Sequence, residues 1–163
     1  MKDESQAVKA IDLYGDTVRR ICFMHLKNYS DVEDVFQEVF LKYVLNDKEF
    51  ESDAHEKAWL IRVAINACKD KLKNFFRRNV ISIYDLTNGP SYFENNDTDL
   101  DLMNAILKLP TNYKNVIFLF YYIGYSVPEI ADTLGKNKNT IYTWLGRARE
   151  QLRVLLGGDF VAK

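Results

Sequence analysis

Apolar and polar positions alternate at helical period over almost the whole chain. Val32, Val35, Phe36, Val39, Phe40, Tyr43 and Val44 recur at the three-and-four spacing that sets them on one stripe of a helix. Ser30 stands three residues ahead of Glu33, which predicts a capping box at the start of that helix: the hydroxyl accepts from the third backbone NH and the carboxylate reaches back. A further helix is predicted from about Glu56 to Lys73, with Leu60, Ile61, Ala64, Ile65, Cys68 and Leu72 inward. Periodicity resumes at Leu100 and is interrupted at Pro110, Gly124 and Gly135. Ser126-Val127-Pro128-Glu129 repeats the capping logic, with Pro128 tolerated in a first turn whose NH has no intrahelical acceptor. Ile130, Ala131 and Leu134 face inward behind it, and Gly135 ends the helix. Asn137 or Asn139 then caps a helix from Thr140 to about Leu156, with Ile141, Leu145, Ala148 and Leu152 inside. Ala131, Gly135 and Ile141 have the spacing of a helix-turn-helix, in which alanine lets two helices approach, glycine makes the turn and isoleucine fills the angle.

Between the two helical stretches, the run from Asp85 to Asp99 is acidic, rich in asparagine and contains Gly89-Pro90. The simplest organisation is all-α: two small helical domains, residues 1–84 and 102–163, joined by a flexible acidic linker over 85–101. A chain of 163 residues with 47% hydrophobic content has room for such a pair. No apolar window is long enough to span a bilayer and no apolar signal core follows Met1, so a cytoplasmic protein with no membrane segment of its own is expected. Cys22 and Cys68 sit in helical apolar patterns without a thiol or histidine at metal spacing, which reads as buried reduced thiols rather than zinc or a disulfide. No nucleophile, acid–base pair or metal set stands out, so the chain reads as neither an enzyme nor a cofactor binder, and His25 and His55 read as surface or packing residues.

Charge changes the picture because it is segregated. The formal net charge is only −1, yet residues 1–56 carry 7 basic and 13 acidic side chains and residues 57–84 carry 7 and 1. Residues 85–101 carry 0 basic and 5 acidic side chains, and residues 136–163 carry 6 and 2. A basic block in each half is an electrostatic footprint for nucleic acid, and the acidic part calls for a different partner.

The faces opposite the core stripes carry the candidate chemistry. Glu33, Asp34, Gln37, Glu38 and Leu41 form an acidic surface with one apolar residue, either a solvated face or a docking surface for a basic partner. On the next helix Trp59, Arg62, Asn66, Lys69 and Lys73 share another side, extended by Phe75, Phe76, Arg77 and Arg78. Cations can track phosphates, an indole can stack on a base and an amide can pair with a base edge, which suits single-stranded DNA. The alternative for Trp59 is burial beside the core. On the last helix Lys138, Asn139, Thr140, Tyr142, Thr143 and Gly146 lie near the end that would enter a major groove, while Arg147, Arg149 and Arg153 are placed to meet phosphates. Trp144 borders the inner stripe and fits either side.

Asp31-Val32-Glu33-Asp34-Val35-Phe36-Gln37-Glu38-Val39-Phe40-Leu41-Lys42 and Ala58-Trp59-Leu60-Ile61-Arg62-Val63-Ala64-Ile65-Asn66 resemble region two of the sigma-70 superfamily. Leu109 to Val116, Gly124 to Ala131 and Gly135 to Arg149 resemble region four, and the order of the motifs is that of small sigma factors of the extracytoplasmic-function (ECF) type. The resemblance implies a subunit that binds core RNA polymerase, recognises promoter DNA and promotes its melting. It places Asp34, Gln37, Glu38 and Leu41 against the clamp coiled coil of the largest polymerase subunit. It makes Asp47 to His55 the loop that captures an unpaired base of the minus-ten element, with Phe50 and Asn66 as candidates beside Trp59, Arg62, Lys69 and Lys73. Lys138, Asn139, Thr140, Tyr142, Thr143, Arg147 and Arg149 fall on the recognition helix for the minus-thirty-five element. A cognate anti-sigma protein is a further implied partner. Lys136 stands where the family usually carries an apolar residue, and Tyr142 and Trp144 where it usually carries cations, which implies an unusual promoter affinity or choice.

Overall fold

The computed structural model describes residues 1–78 and 97–157, with side chains over 1–74 and 101–157. Most of the acidic linker and the side chains of Phe75 to Arg78 lie outside the described residues. The chain divides into two compact units, Met1–Tyr92 and Phe93–Lys163, and every regular element among the described residues is helical. Among those residues no helix is long and apolar enough to cross a membrane.

The first unit holds α1 (Glu4–His25), α2 (Tyr29–Leu45) and α3 (Asp53–Arg78), each packed against the other two. Their stripes meet in one core: Val18, Ile21 and Cys22 from α1, Val32, Val35 and Val39 from α2, and Leu60, Ile61, Ala64 and Cys68 from α3 are all buried. Each of the larger of these side chains contributes about 1.5–3 kcal/mol when fully buried. Both cysteines are buried, and neither is in a disulfide.

Two helix starts differ from the sequence expectation. The expected capping box of Ser30 and Glu33 is not made: α2 begins at Tyr29, and the Asn28 side chain accepts from the Ser30 NH at 2.7 Å. Glu33 instead accepts from Arg19 of α1, whose guanidinium lies 3.9 Å from the Phe36 ring centroid. A half-buried charge pair between helices outcompetes an exposed contact within one turn, since water screens the pair less. Helix α3 starts at Asp53 rather than near Glu56, because Ser52 accepts the His55 NH on its hydroxyl at 3.1 Å and the Glu56 NH on its carbonyl at 3.1 Å.

The second unit holds α4 (Asp97–Leu107), α5 (Thr111–Ile117), α6 (Val127–Leu134) and α7 (Lys138–Leu155). Helix α4 opens inside the segment read as linker, at Asp97. Helix α5 runs on without a break into a π-helical segment, Phe118–Ile123, which ends at Gly124 with φ +86°. The Tyr125 NH bonds to the Leu119 carbonyl at 2.9 Å and closes that wide turn. The helix-turn-helix follows the sequence reading, except that α7 starts at Lys138 rather than Thr140. Ser126 and Glu129 form the expected capping box, Gly135 takes φ +66°, and of the two candidate caps it is Asn137 that accepts from the Thr140 NH at 2.8 Å. Ile141, Leu145, Ala148 and Leu152 are buried, and Trp144 is half-buried at their edge.

A Cβ added at Gly135 would meet nothing within 4 Å, so its cost is backbone strain alone. Gly135→Ala should destabilise the protein by about 1–2 kcal/mol in urea unfolding, and Gly135→Asn by less, because asparagine tolerates the left-handed region. An alanine variant as stable as the parent would show that the turn does not need this conformation.

Candidate functional site

The outward side of α2 is built by the burial of its inward side. Asp34, Gln37, Glu38 and Leu41 are all exposed, Leu41 by 59%, while Glu33 is drawn away towards Arg19. Ion pairing engages part of this face. Glu38 pairs with Lys42 one turn on at 3.0 Å, and Lys71 of α3 stands 3.5 Å from Asp34 and 3.7 Å from Asp31. Exposed pairs of this kind contribute little and exchange readily, so the carboxylates can be handed to a basic partner at small cost. Leu41 adds one apolar side chain to this exposed face.

Arg62, Asn66, Lys69 and Lys73 are exposed on α3, as the helical spacing requires. Trp59 differs from them: it is half-buried, with its ring 6.3 Å from Tyr43 and 5.6 Å from Phe50. Phe50, on the loop between α2 and α3, lies parallel to Tyr43 at 6.2 Å and takes the His55 ring edge-on at 5.4 Å. The Lys2 ammonium stands 4.9 Å from the Tyr43 centroid and 5.3 Å from that of Phe50, and it donates to the Asn46 carbonyl. The His55 Nδ1 accepts from the Glu51 NH at 3.1 Å. The loop is thereby seated on an aromatic cluster, and a cleft lined by Lys2, Tyr43, Asn46, Phe50 and Glu56 opens beside it. Sequence periodicity assigns Tyr43 to the core stripe and gives no sign that it also carries this loop. Its hydroxyl donates to Glu56 at 3.0 Å.

On α7, Lys138, Asn139, Tyr142, Thr143, Gly146 and Arg147 are exposed, with Tyr142 61% exposed. Thr140 is half-buried and donates its hydroxyl to the Asn137 side chain at 3.1 Å, so it serves the helix cap. Arg149 is held: its Nε donates to the Tyr121 hydroxyl at 2.7 Å, and its guanidinium lies 5.5 Å from the Phe120 centroid and 5.6 Å from that of Tyr121. Arg153 pairs with Glu150 at 2.5 Å. Tyr121 had no sequence signal, because the π-helical segment shifts the phase that a regular helix would have.

Two protein families match the two units: Sigma-70 region 2 over residues 10–78 and Sigma-70, region 4 over residues 99–152. The ECF RNA polymerase sigma factor SigW of Bacillus subtilis is 29% identical over an alignment covering 93% of this chain and 89% of that protein. The RNA polymerase sigma factor CnrH of Cupriavidus metallidurans is 30% identical, over 80% of this chain and 75% of its own. Among solved structures, the sigma factor RpoE of Bartonella quintana, crystallised with the anti-sigma factor NepR, superposes with a TM-score of 0.75 at 22% identity, covering 93% of this chain and 97% of that one. The likeness to RpoE is one of fold.

Burial first, then the Glu56 hydrogen bond and charge, push the Tyr43 hydroxyl from 10.0 up to about 12. The folded protein therefore keeps this proton where the unfolded chain has released it, so the associated stability is full below pH 10 and is lost as the pH rises to about 12. Urea unfolding across that window should show a steeper loss of stability for the parent than for Tyr43→Phe. Equal slopes would place the hydroxyl in water.

Proposed function

Since the chain belongs to the sigma-70 family of RNA polymerase sigma factors, in its ECF group, we propose that its acidic α2 ridge docks on core polymerase and its two basic helices take the two promoter elements. A sigma factor binds core polymerase, recognises promoter DNA and promotes its melting for initiation, a regulatory rather than a catalytic part. Residues 1–84 serve as region two, 85–101 as the connector and 102–163 as region four. The chain performs no catalysis and works in the cytoplasm.

The observation that carries this reading is the separation of charge by helix face within the first unit. Leu41 stands exposed among Asp34, Gln37 and Glu38 on α2, whereas the exposed side of α3 bears Arg62, Lys69 and Lys73. One surface repels a phosphate backbone and the other attracts it, so protein and DNA are sorted before any specific contact forms. The clamp coiled coil of the largest polymerase subunit is the basic partner for the first surface. The second guides single-stranded DNA towards the loop seated on Tyr43, Phe50 and Trp59, where Asn66 offers a base-pairing amide. Binding the unpaired bases offsets the cost of unstacking them, so melting needs no catalytic group. In the second unit Lys138, Asn139, Thr140, Tyr142 and Thr143 face the major groove of the minus-thirty-five element, and Arg147 and Arg149 fix register on phosphates. A cognate anti-sigma protein restrains the factor until it is needed, as RpoE's complex with NepR suggests by analogy.

Charge reversal at both Asp34→Lys and Glu38→Lys should abolish co-purification with core polymerase while circular dichroism stays unchanged. Retained association would move the docking ridge elsewhere. Arg147→Ala should weaken DNA binding at every sequence alike and lower the slope of log affinity against log salt by about one, read by fluorescence anisotropy over a salt series. A change in sequence preference with an unaltered slope would make Arg147 a base reader instead.

A further inference from the structure

Arg149 occupies the outer stripe of α7 that also carries Tyr142, Gly146 and Arg153, since these positions fall three or four residues apart. A free arginine there would sweep through many rotamers and give up that freedom on meeting a phosphate. In this protein it is held from below. Its Nε bonds the Tyr121 hydroxyl at 2.7 Å, and the guanidinium stands within 5.6 Å of the Phe120 and Tyr121 centroids. The bond occupies Nε and not the two terminal nitrogens, a pair that can grip a phosphate end-on in fork geometry. Tyr121 can reach this place because the aromatic run Phe118–Ile123 is wound as a π-helix, with Phe118 and Tyr122 stacked 4.9 Å apart. One residue earlier stands Phe120, which has no hydroxyl, and one residue later stands Tyr122, whose ring is stacked on Phe118. Tyr121 is itself 39% exposed, so its ring does not serve to fill the core.

We propose that Tyr121 is a positioning residue for promoter binding: it holds Arg149 by Nε so that the terminal nitrogens are preset for a DNA phosphate. This rests on the reading of Arg149 as a phosphate contact, and the test separates the two. The π-helical segment is thereby part of the DNA-binding apparatus, although no residue of it need touch a base. The hydroxyl, not the ring, is the group that matters, because the cation–π contacts would survive its removal.

The full chain, assembled with core polymerase, is titrated with a fluorescent mixed-sequence DNA duplex over a salt series, which isolates the backbone contacts. Tyr121→Phe should weaken binding about fivefold with an unchanged salt slope, because the phosphate contact survives but its preset geometry does not. Arg149→Ala should weaken binding and lower the slope by about one, and adding Tyr121→Phe to it should cost nothing more. If Arg149→Ala changes neither affinity nor slope, the phosphate reading fails and this inference fails with it. If Arg149→Ala behaves as expected but Tyr121→Phe has no effect, or has the same effect with and without Arg149, the phosphate reading stands and the positioning role is overturned. Arg149→Lys keeps the charge but loses the flat Nε contact, so it should reproduce the Tyr121→Phe loss; parent-like binding would also overturn the role, and it does so without altering the π-helical segment.

Discussion

The burial of the α2 stripe between α1 and α3 is the constraint on which the first unit depends. Val32, Val35 and Val39 are fully enclosed, with Phe36, Phe40 and Tyr43 beside them, so the helix has one rotation about its axis at which its apolar side chains are covered. That rotation leaves Asp34, Gln37, Glu38 and Leu41 pointing away from the core. This acidic ridge, the proposed docking surface, is the remainder of a packing problem, and it needs no separate device to hold it. The same applies to α3, where burial of Leu60, Ile61, Ala64 and Cys68 turns Arg62, Asn66 and Lys69 outward. A nearly neutral chain therefore presents separate acidic and basic faces, because helical geometry sorts its charges.

In the second unit the decisive terms are at helix ends. Ser126 with Glu129, Gly135 and Asn137 together fix where α6 starts, where it stops and where α7 starts. Hydrogen bonding from Ser126 lowers the pKa of the Glu129 carboxyl, which favours the ionised form that caps the helix. Thr140, though it lies among the residues at the entering end of α7, gives its hydroxyl to Asn137. Its hydroxyl thus serves the start of α7.

Much of this was legible in the sequence because it follows from short-range rules. The core stripes, the helix-turn-helix and the capping residues of α6 depend on spacings of three to seven residues, which a linear pattern records. What escaped depends on contacts between distant residues. Asn28 caps α2 in place of Ser30, where Glu33 is occupied by Arg19, fourteen positions away. Phe50 and Trp59 read as a loop aromatic and a stacking platform, but whether they packed on Tyr43 could not be inferred from either segment alone. Lys71 and its two carboxylate neighbours are likewise brought together by helix packing.

Tyr121 escaped for a different reason. A helical wheel assumes one period, and the π-helical segment breaks it for six residues before Gly124 restarts the chain in a new direction. Wide turns of this kind cost hydrogen-bond geometry and persist where surrounding contacts compensate them. Here the Phe118–Tyr122 stack and the Tyr125–Leu119 backbone bond supply that compensation on one side, and the Arg149 clamp lies on another. By its resemblance to the family, α7 has Tyr142 and Trp144 where cations are usual, so under the proposed reading fewer of its charges can reach the DNA backbone. A helix with few cations gains most from fixing those it has, and the bond from Arg149 to Tyr121 fixes one of them.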